Sequence, residues 1–74
     1  MNQLPVISGS ECVRALQAAG FSIARQKGSH VTVQRRGTVP ITVPLHNPLK
    51  RGTLRSIIRD AGLTVAEFNA LLHS

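Results

Sequence analysis

Three histidines, one cysteine and three carboxylates carry the proton-moving, nucleophilic and metal-binding chemistry open to this 74-residue chain. His30 stands out among them. It follows Lys27-Gly28-Ser29 and opens a run in which Val31 and Val33 alternate with His30, Thr32 and Gln34. That alternation predicts a half-buried strand with His30 on the face opposite the two valines. Histidine titrates close to cellular pH, so an exposed imidazole there can take or give a proton. Next to cations, the reaction this suits is metal-free cleavage of RNA, in which the strand's own 2′-hydroxyl attacks the adjacent phosphate. Such a step needs a base, an acid for the departing 5′-oxygen, and positive charge on the phosphorane. The alternative is an exposed strand histidine with no task.

His46 follows Pro44-Leu45 and has the same parity as His30 if the third strand stays extended that far. It lies four residues past Thr42, roughly 13 Å along a straight strand. It is the candidate second proton-transfer group, or a loop residue at the strand exit. His73 is the penultimate residue and gets no role. Cys12 falls on the apolar stripe of a helix, which argues against a catalytic thiol. The histidines, the cysteine and the acids show no metal-ligand spacing, and no glycine-rich phosphate loop follows a strand. The expectation is a site with no metal and no cofactor.

Charge points to the partner. Nine Lys+Arg against three Asp+Glu give a net charge of +6. A compact basic domain of this kind fits a polyanion. Arg25, Lys27 and Ser29 flank His30 and are the nearest phosphate-binding candidates. Lys50, Arg51 and Arg55 form a second group, with Arg59 extending it at helical spacing. Lys50 and Arg51 precede a predicted helix, where the dipole disfavours cations and free amide groups suit a phosphate. Arg35-Arg36 sit at a predicted hairpin tip and serve either phosphate contact or solubility. Tyr and Trp are absent and Phe occurs twice, at apolar-periodic positions, so base stacking on an aromatic platform is not expected.

The elements that position these residues are legible from spacing. Ser8 and Glu11 form a capping box that opens a helix at 9–19, with Cys12, Val13, Leu16 and Ala19 apolar. Gly20 suits the position just past its end. Three short strands follow, with Phe21 and Ile23, then Val31 and Val33, then Val39, Ile41 and Val43 on one face. Facing apolar residues predict Ile23 opposite Val31 and Val33 opposite Val39. Two three-residue loops result, Gln26-Lys27-Gly28 and Arg35-Arg36-Gly37, each ending in Gly. In that register the neighbours of His30 are Ala24 and Thr42. Pro40 and Pro44 predict that the third strand is an edge. A second helix is expected at 52–61, capped by Gly62. Thr64 and Glu67 open a last helix at 65–72. The chain reads as one α+β domain over 1–74, in the order α-β-β-β-α-α. The helices pack on one face of a three-stranded antiparallel sheet. Its thin core suggests that a partner supplies part of the stability. The first residues lack a charged and apolar leader and no run is long enough to span a membrane, so the cytoplasm is the expected location.

Three stretches together resemble the HicA family of toxin ribonucleases. They are Lys27-Gly28-Ser29-His30 with Gly20-Phe21 and Arg25 before it; Val43-Pro44-Leu45-His46; and Gly52-Thr53-Leu54-Arg55-Ser56-Ile57-Ile58-Arg59-Asp60-Ala61-Gly62-Leu63 with Glu67-Phe68 after it. The resemblance runs over about residues 9–72. It implies a fold like the double-stranded-RNA-binding domain and mRNA cleavage dependent on His30. It also implies inhibition by a HicB-type antitoxin, with the toxin a monomer alone or a hetero-oligomer with that antitoxin. Many family members carry a second His or an aromatic shortly after this histidine; here Val31, Thr32 and Val33 follow. Two other readings stay open. One is a non-catalytic RNA-binding module on the same fold. The other is a basic subunit stabilised by an acidic protein.

Overall fold

In the computed structural model, which describes residues 3–74, the order of elements is α1 (Gly9–Ala18), β1 (Ser22–Lys27), β2 (His30–Gln34), β3 (Ile41–Pro44), α2 (Arg51–Asp60) and α3 (Val65–Leu72). The sheet is antiparallel with order β1-β2-β3, so β3 is an edge as Pro44 requires. One face of the sheet carries Val31, Val33, Ile41 and Val43 into a core shared with Cys12, Leu16, Leu54, Ile57 and Phe68. The helices cover that face. The other face is open.

Local chemistry explains the starts of α1 and α3 and the ends of α1 and α2. The Ser8 hydroxyl accepts from the Glu11 N–H, and the Glu11 carboxylate accepts from the Ser8 N–H. Those hydrogen bonds, the Ser8 backbone one first, hold the Glu11 carboxyl below its ordinary pKa. Thr64 and Glu67 repeat the box at α3. Gly20, at φ 96°, ends α1, and the Phe21 N–H then reaches back to the Leu16 carbonyl. The helices therefore stop within one residue of where the sequence predicts, α1 at Ala18 and α2 at Asp60.

The strand registers differ from the expected ones. Lys27 pairs with His30, which leaves a two-residue turn, Gly28-Ser29. Gly28 has φ 59° and Ser29 a negative φ, the pattern of a type II′ hairpin whose twist matches the strands. Ile23 sits opposite Val33, not Val31, and Ala24 is an extra, unpaired residue in a β-bulge. On the other side Val33 faces Ile41, not Val39, and Val39 is 62% exposed. The rule of facing apolar residues is satisfied by both partners, because positions 39 and 41 share a face. The loop decides between them.

Arg35 turns inward from that loop instead of reaching for solvent. Its guanidinium lies 4.5 Å from the centre of the Phe21 ring. It donates to the Ala19 carbonyl at 2.7 Å and the Ala61 carbonyl at 3.3 Å, at the C-terminal ends of α1 and α2. A cation at two helix C-termini is favourable to both dipoles. The chain from Arg35 to Pro40 thereby leaves the ladder, and Pro40, with no N–H, stands just ahead of β3. Charged hydrogen bonds of this kind are worth about 1.5–3 kcal/mol. Arg35→Ala is therefore expected to cost about 2 kcal/mol and lower the melting temperature by roughly 8–16 °C. Arg36→Ala, at an exposed position, should shift it far less. Equal melts for the two variants would contradict the clasp.

Candidate active site

The Ala24 bulge decides which side chains meet His30. Strict alternation sends Arg25 and Lys27 to the face of Ile23, toward the helices. The extra residue shifts the phase, so Arg25 pairs with Thr32 and Lys27 with His30. Both cations join the open face. Directly opposed strand residues hold their Cβ atoms about 5 Å apart, so the Lys27 stem stands beside the imidazole. On the other side of His30 is Pro44, and Thr42 is opposite Thr32. The expected neighbours Ala24 and Thr42 are replaced by Lys27 and Pro44. The cause is the two-residue turn together with the later start of β3.

These side chains enclose a shallow depression of about 450 Å³ lined by Arg25, Lys27, Gly28, Ser29, His30, Thr32 and Thr42. Four sequence-predicted site residues, Arg25, Lys27, Ser29 and His30, therefore converge. Ser29 is held from behind, since its carbonyl accepts from the Leu45 N–H at 2.7 Å. The floor is the Thr32–Thr42 hydroxyl pair, with oxygens 3.3 Å apart.

The electrostatics of the depression are one-sided. All three acidic side chains belong to helices: Glu11 in α1, Asp60 in α2 and Glu67 in α3. The ion pair found among the described residues is Arg59–Asp60 at 3.5 Å, on the exposed surface of α2. Arg25 and Lys27 thus stand on the open face with no carboxylate beside them. A face with two cations and no counter-charge attracts anions.

The other predicted residues lie elsewhere. His46 is exposed past the end of β3, outside the lining of the depression, and its carbonyl accepts from the Gly9 N–H at 2.8 Å. Lys50 is the N-cap residue of α2 and makes no side-chain cap hydrogen bond; Arg51 and Arg55 are exposed on the same helix. Because α2 packs on the covered face, these three lie across the sheet from His30. Cys12 is fully buried, and burial pushes its thiol up to about 12, as a core residue and not a nucleophile. Among the described residues, no three His, Cys, Asp or Glu side chains come together as metal ligands.

One residue of the site, Thr32, and its pairing with Thr42 were not legible beforehand. Thr32 and Thr42 are ordinary strand residues by type, and only the observed register places their hydroxyls together. The one available signal was their shared parity with His30.

Comparison with known proteins gives two findings. The profile of the family described as the HicA toxin of bacterial toxin-antitoxin systems matches residues 9–63. A chain of a solved toxin-antitoxin complex from Streptococcus pneumoniae is 40% identical, with a TM-score of 0.68 over 77% of this chain and 98% of that one. No curated protein is significantly similar to it.

Proposed function

The chain belongs to the HicA toxin family of bacterial toxin-antitoxin systems, and we propose that it works as a metal-independent endoribonuclease acting on mRNA. The observation that carries this reading is the convergence of His30 with Lys27 and Arg25 in one open, acid-free depression. In this reading the scissile phosphate sits between the imidazole and the Lys27 ammonium. A base removes the proton of the 2′-hydroxyl, the 2′-oxygen bonds to phosphorus, and the bond from phosphorus to the 5′-oxygen breaks. The departing oxygen takes a proton, leaving a 2′,3′-cyclic phosphate and a 5′-hydroxyl. His30 moves one of these protons. Lys27 holds charge that builds on the scissile phosphate oxygens, the Ser29 hydroxyl helps orient them, and Arg25 holds phosphate charge on the RNA strand beside them.

The second proton-transfer group is Lys27, water, or His46 brought inward with the substrate. Lys50, Arg51 and Arg55 serve the RNA at a distance, holding backbone phosphates that pass around the edge of β3. Binding is then strongly salt-dependent and weak in sequence preference. A HicB-type antitoxin that covers the His30 face silences the enzyme, and the solved complex of the Streptococcus pneumoniae relative supports an antitoxin partner. Messenger RNA and its translation machinery place this activity in the cytoplasm.

The test is incubation of the purified chain with a defined RNA in the presence of EDTA. Chain scission supports the ribonuclease. Salt-sensitive binding with the RNA left intact would overturn it in favour of a non-catalytic RNA-binding module on the same fold.

A further inference from the structure

The open face is organised in two cross-strand rows. One row is Lys27, His30 and Pro44; the other is Arg25, Thr32 and Thr42. Both rows contribute to the same depression. The proposed chemistry uses only the first. The second row has a cation without a carboxylate partner and a pair of hydroxyls, and nothing in the reaction at His30 calls for them.

The geometry of the rows shows what they fit. Arg25 and Lys27 are two residues apart on β1, so their stems are separated by about 7 Å along the strand. That matches the distance between neighbouring phosphates on one nucleic-acid strand. The hydroxyls add direction. Thr32 and Thr42 each carry one donor hydrogen, and the 3.3 Å contact between them uses one. The other hydrogen is left to donate to a ligand beside the Arg25 guanidinium. A guanidinium plus a hydroxyl is a donor set for a phosphate oxygen.

We propose that the Arg25–Thr32–Thr42 row is a second phosphate subsite, which takes the phosphate adjacent to the scissile one and fixes the RNA strand along β1. This rests on the ribonuclease reading. The subsite sets where the strand lies, so that the scissile phosphate is presented to His30 in a constant register. Arg25 and the two threonines are positioning residues; they do not touch the reacting atoms. The bulge at Ala24 serves this subsite, because it turns Arg25 to the open face along with Lys27.

The test uses a DNA oligonucleotide with a single ribonucleotide, which offers one cleavable linkage. The phosphates on either side of that linkage are replaced, one at a time, by neutral methylphosphonates. With the wild-type chain, neutralising one of the two adjacent phosphates should raise KM about 10-fold with little change in kcat. Neutralising the adjacent phosphate on the other side, or a linkage further off, should cost clearly less. In Arg25→Ala the KM should already be raised, and the same methylphosphonate should add nothing. Thr42→Val, which keeps the shape of the strand residue, should reproduce part of that loss. Cleavage in which the methylphosphonate costs Arg25→Ala as much as it costs wild type would overturn the subsite and leave the ribonuclease intact. If wild type cuts neither this oligonucleotide nor its all-RNA counterpart, the ribonuclease reading falls and the subsite falls with it.

Discussion

His30→Ala is expected to lower RNA cleavage by about 10²–10⁴-fold, the usual contribution of a positioned proton-transfer side chain. The same substitution should leave the melting temperature close to that of wild type. The imidazole is exposed, and none of the side-chain hydrogen bonds among the described residues uses it. Exposed strand positions of this kind seldom move stability by more than about 0.5 kcal/mol. RNA affinity should also hold, since Arg25, Lys27 and the α2 cations remain. The diagnostic pattern is thus lost turnover with retained binding and retained fold. A variant that melts early, or that loses binding and cleavage together, would mean that His30 acts through structure or affinity and not through proton transfer.

Gly9→Ala is expected to damage the protein about as much as truncating a core side chain. Gly9 opens α1 against the end of β3. A Cβ there would overlap the Pro44 carbonyl oxygen and come within 2.8 Å of the Leu45 Cα. Both obstacles are backbone and cannot rotate aside. The contact is also tied by a hydrogen bond from the Gly9 N–H to the His46 carbonyl at 2.8 Å. Relief requires α1 to move off the sheet. Overpacking costs about 1–3 kcal/mol and sometimes more. Here the top of that range is expected, out of a total stability on the order of 4–11 kcal/mol for a chain this long. A fall in melting temperature of more than about 10 °C would agree. Because Pro44 flanks His30, cleavage should fall as well. Gly52→Ala provides the contrast. It lies in the first turn of α2 with nothing near its added methyl, so it should be neutral or stabilising by up to about 1 kcal/mol. Similar melts for the two variants would contradict the close approach at Gly9.

These two positions also mark how far spacing alone reaches. Four of the six helix ends followed from local chemistry: Ser8 with Glu11, Thr64 with Glu67, and Gly20 and Gly62 in left-handed conformations. Such signals act over three or four residues, so neighbouring residue types suffice to read them. The family resemblance, carried by Gly-Ser-His and the α2 segment, agrees with the profile match and the solved relative. Strand register was not legible in the same way. Period two leaves a shift of two residues undetermined, and Val39 and Ile41 were equivalent on that ground. The choice rests on Arg35, whose contacts with Phe21, Ala19 and Ala61 join distant parts of the chain. The Ala24 bulge escaped for a related reason: an extra residue shows only against its partner strand. Arg25 and Lys27 were therefore identified by charge and proximity in sequence, while the twist that brings them to His30 appears only in the fold. Lys50, Arg51 and Arg55 look like part of one basic site in sequence, yet they lie across the sheet. Gly9 reads as an ordinary helix start, because the β3 backbone that forbids a side chain there is about 35 residues away in the chain.

The central claim is that the RNA supplies its own nucleophile at a phosphate held beside His30. It is tested most directly by mapping the cut made in the presence of EDTA and then removing a single 2′-hydroxyl at that position. The account predicts a 2′,3′-cyclic phosphate and a 5′-hydroxyl at the ends, and no scission of the deoxy-substituted linkage. Scission that persists without that hydroxyl, or ends with a 5′-phosphate, would contradict it.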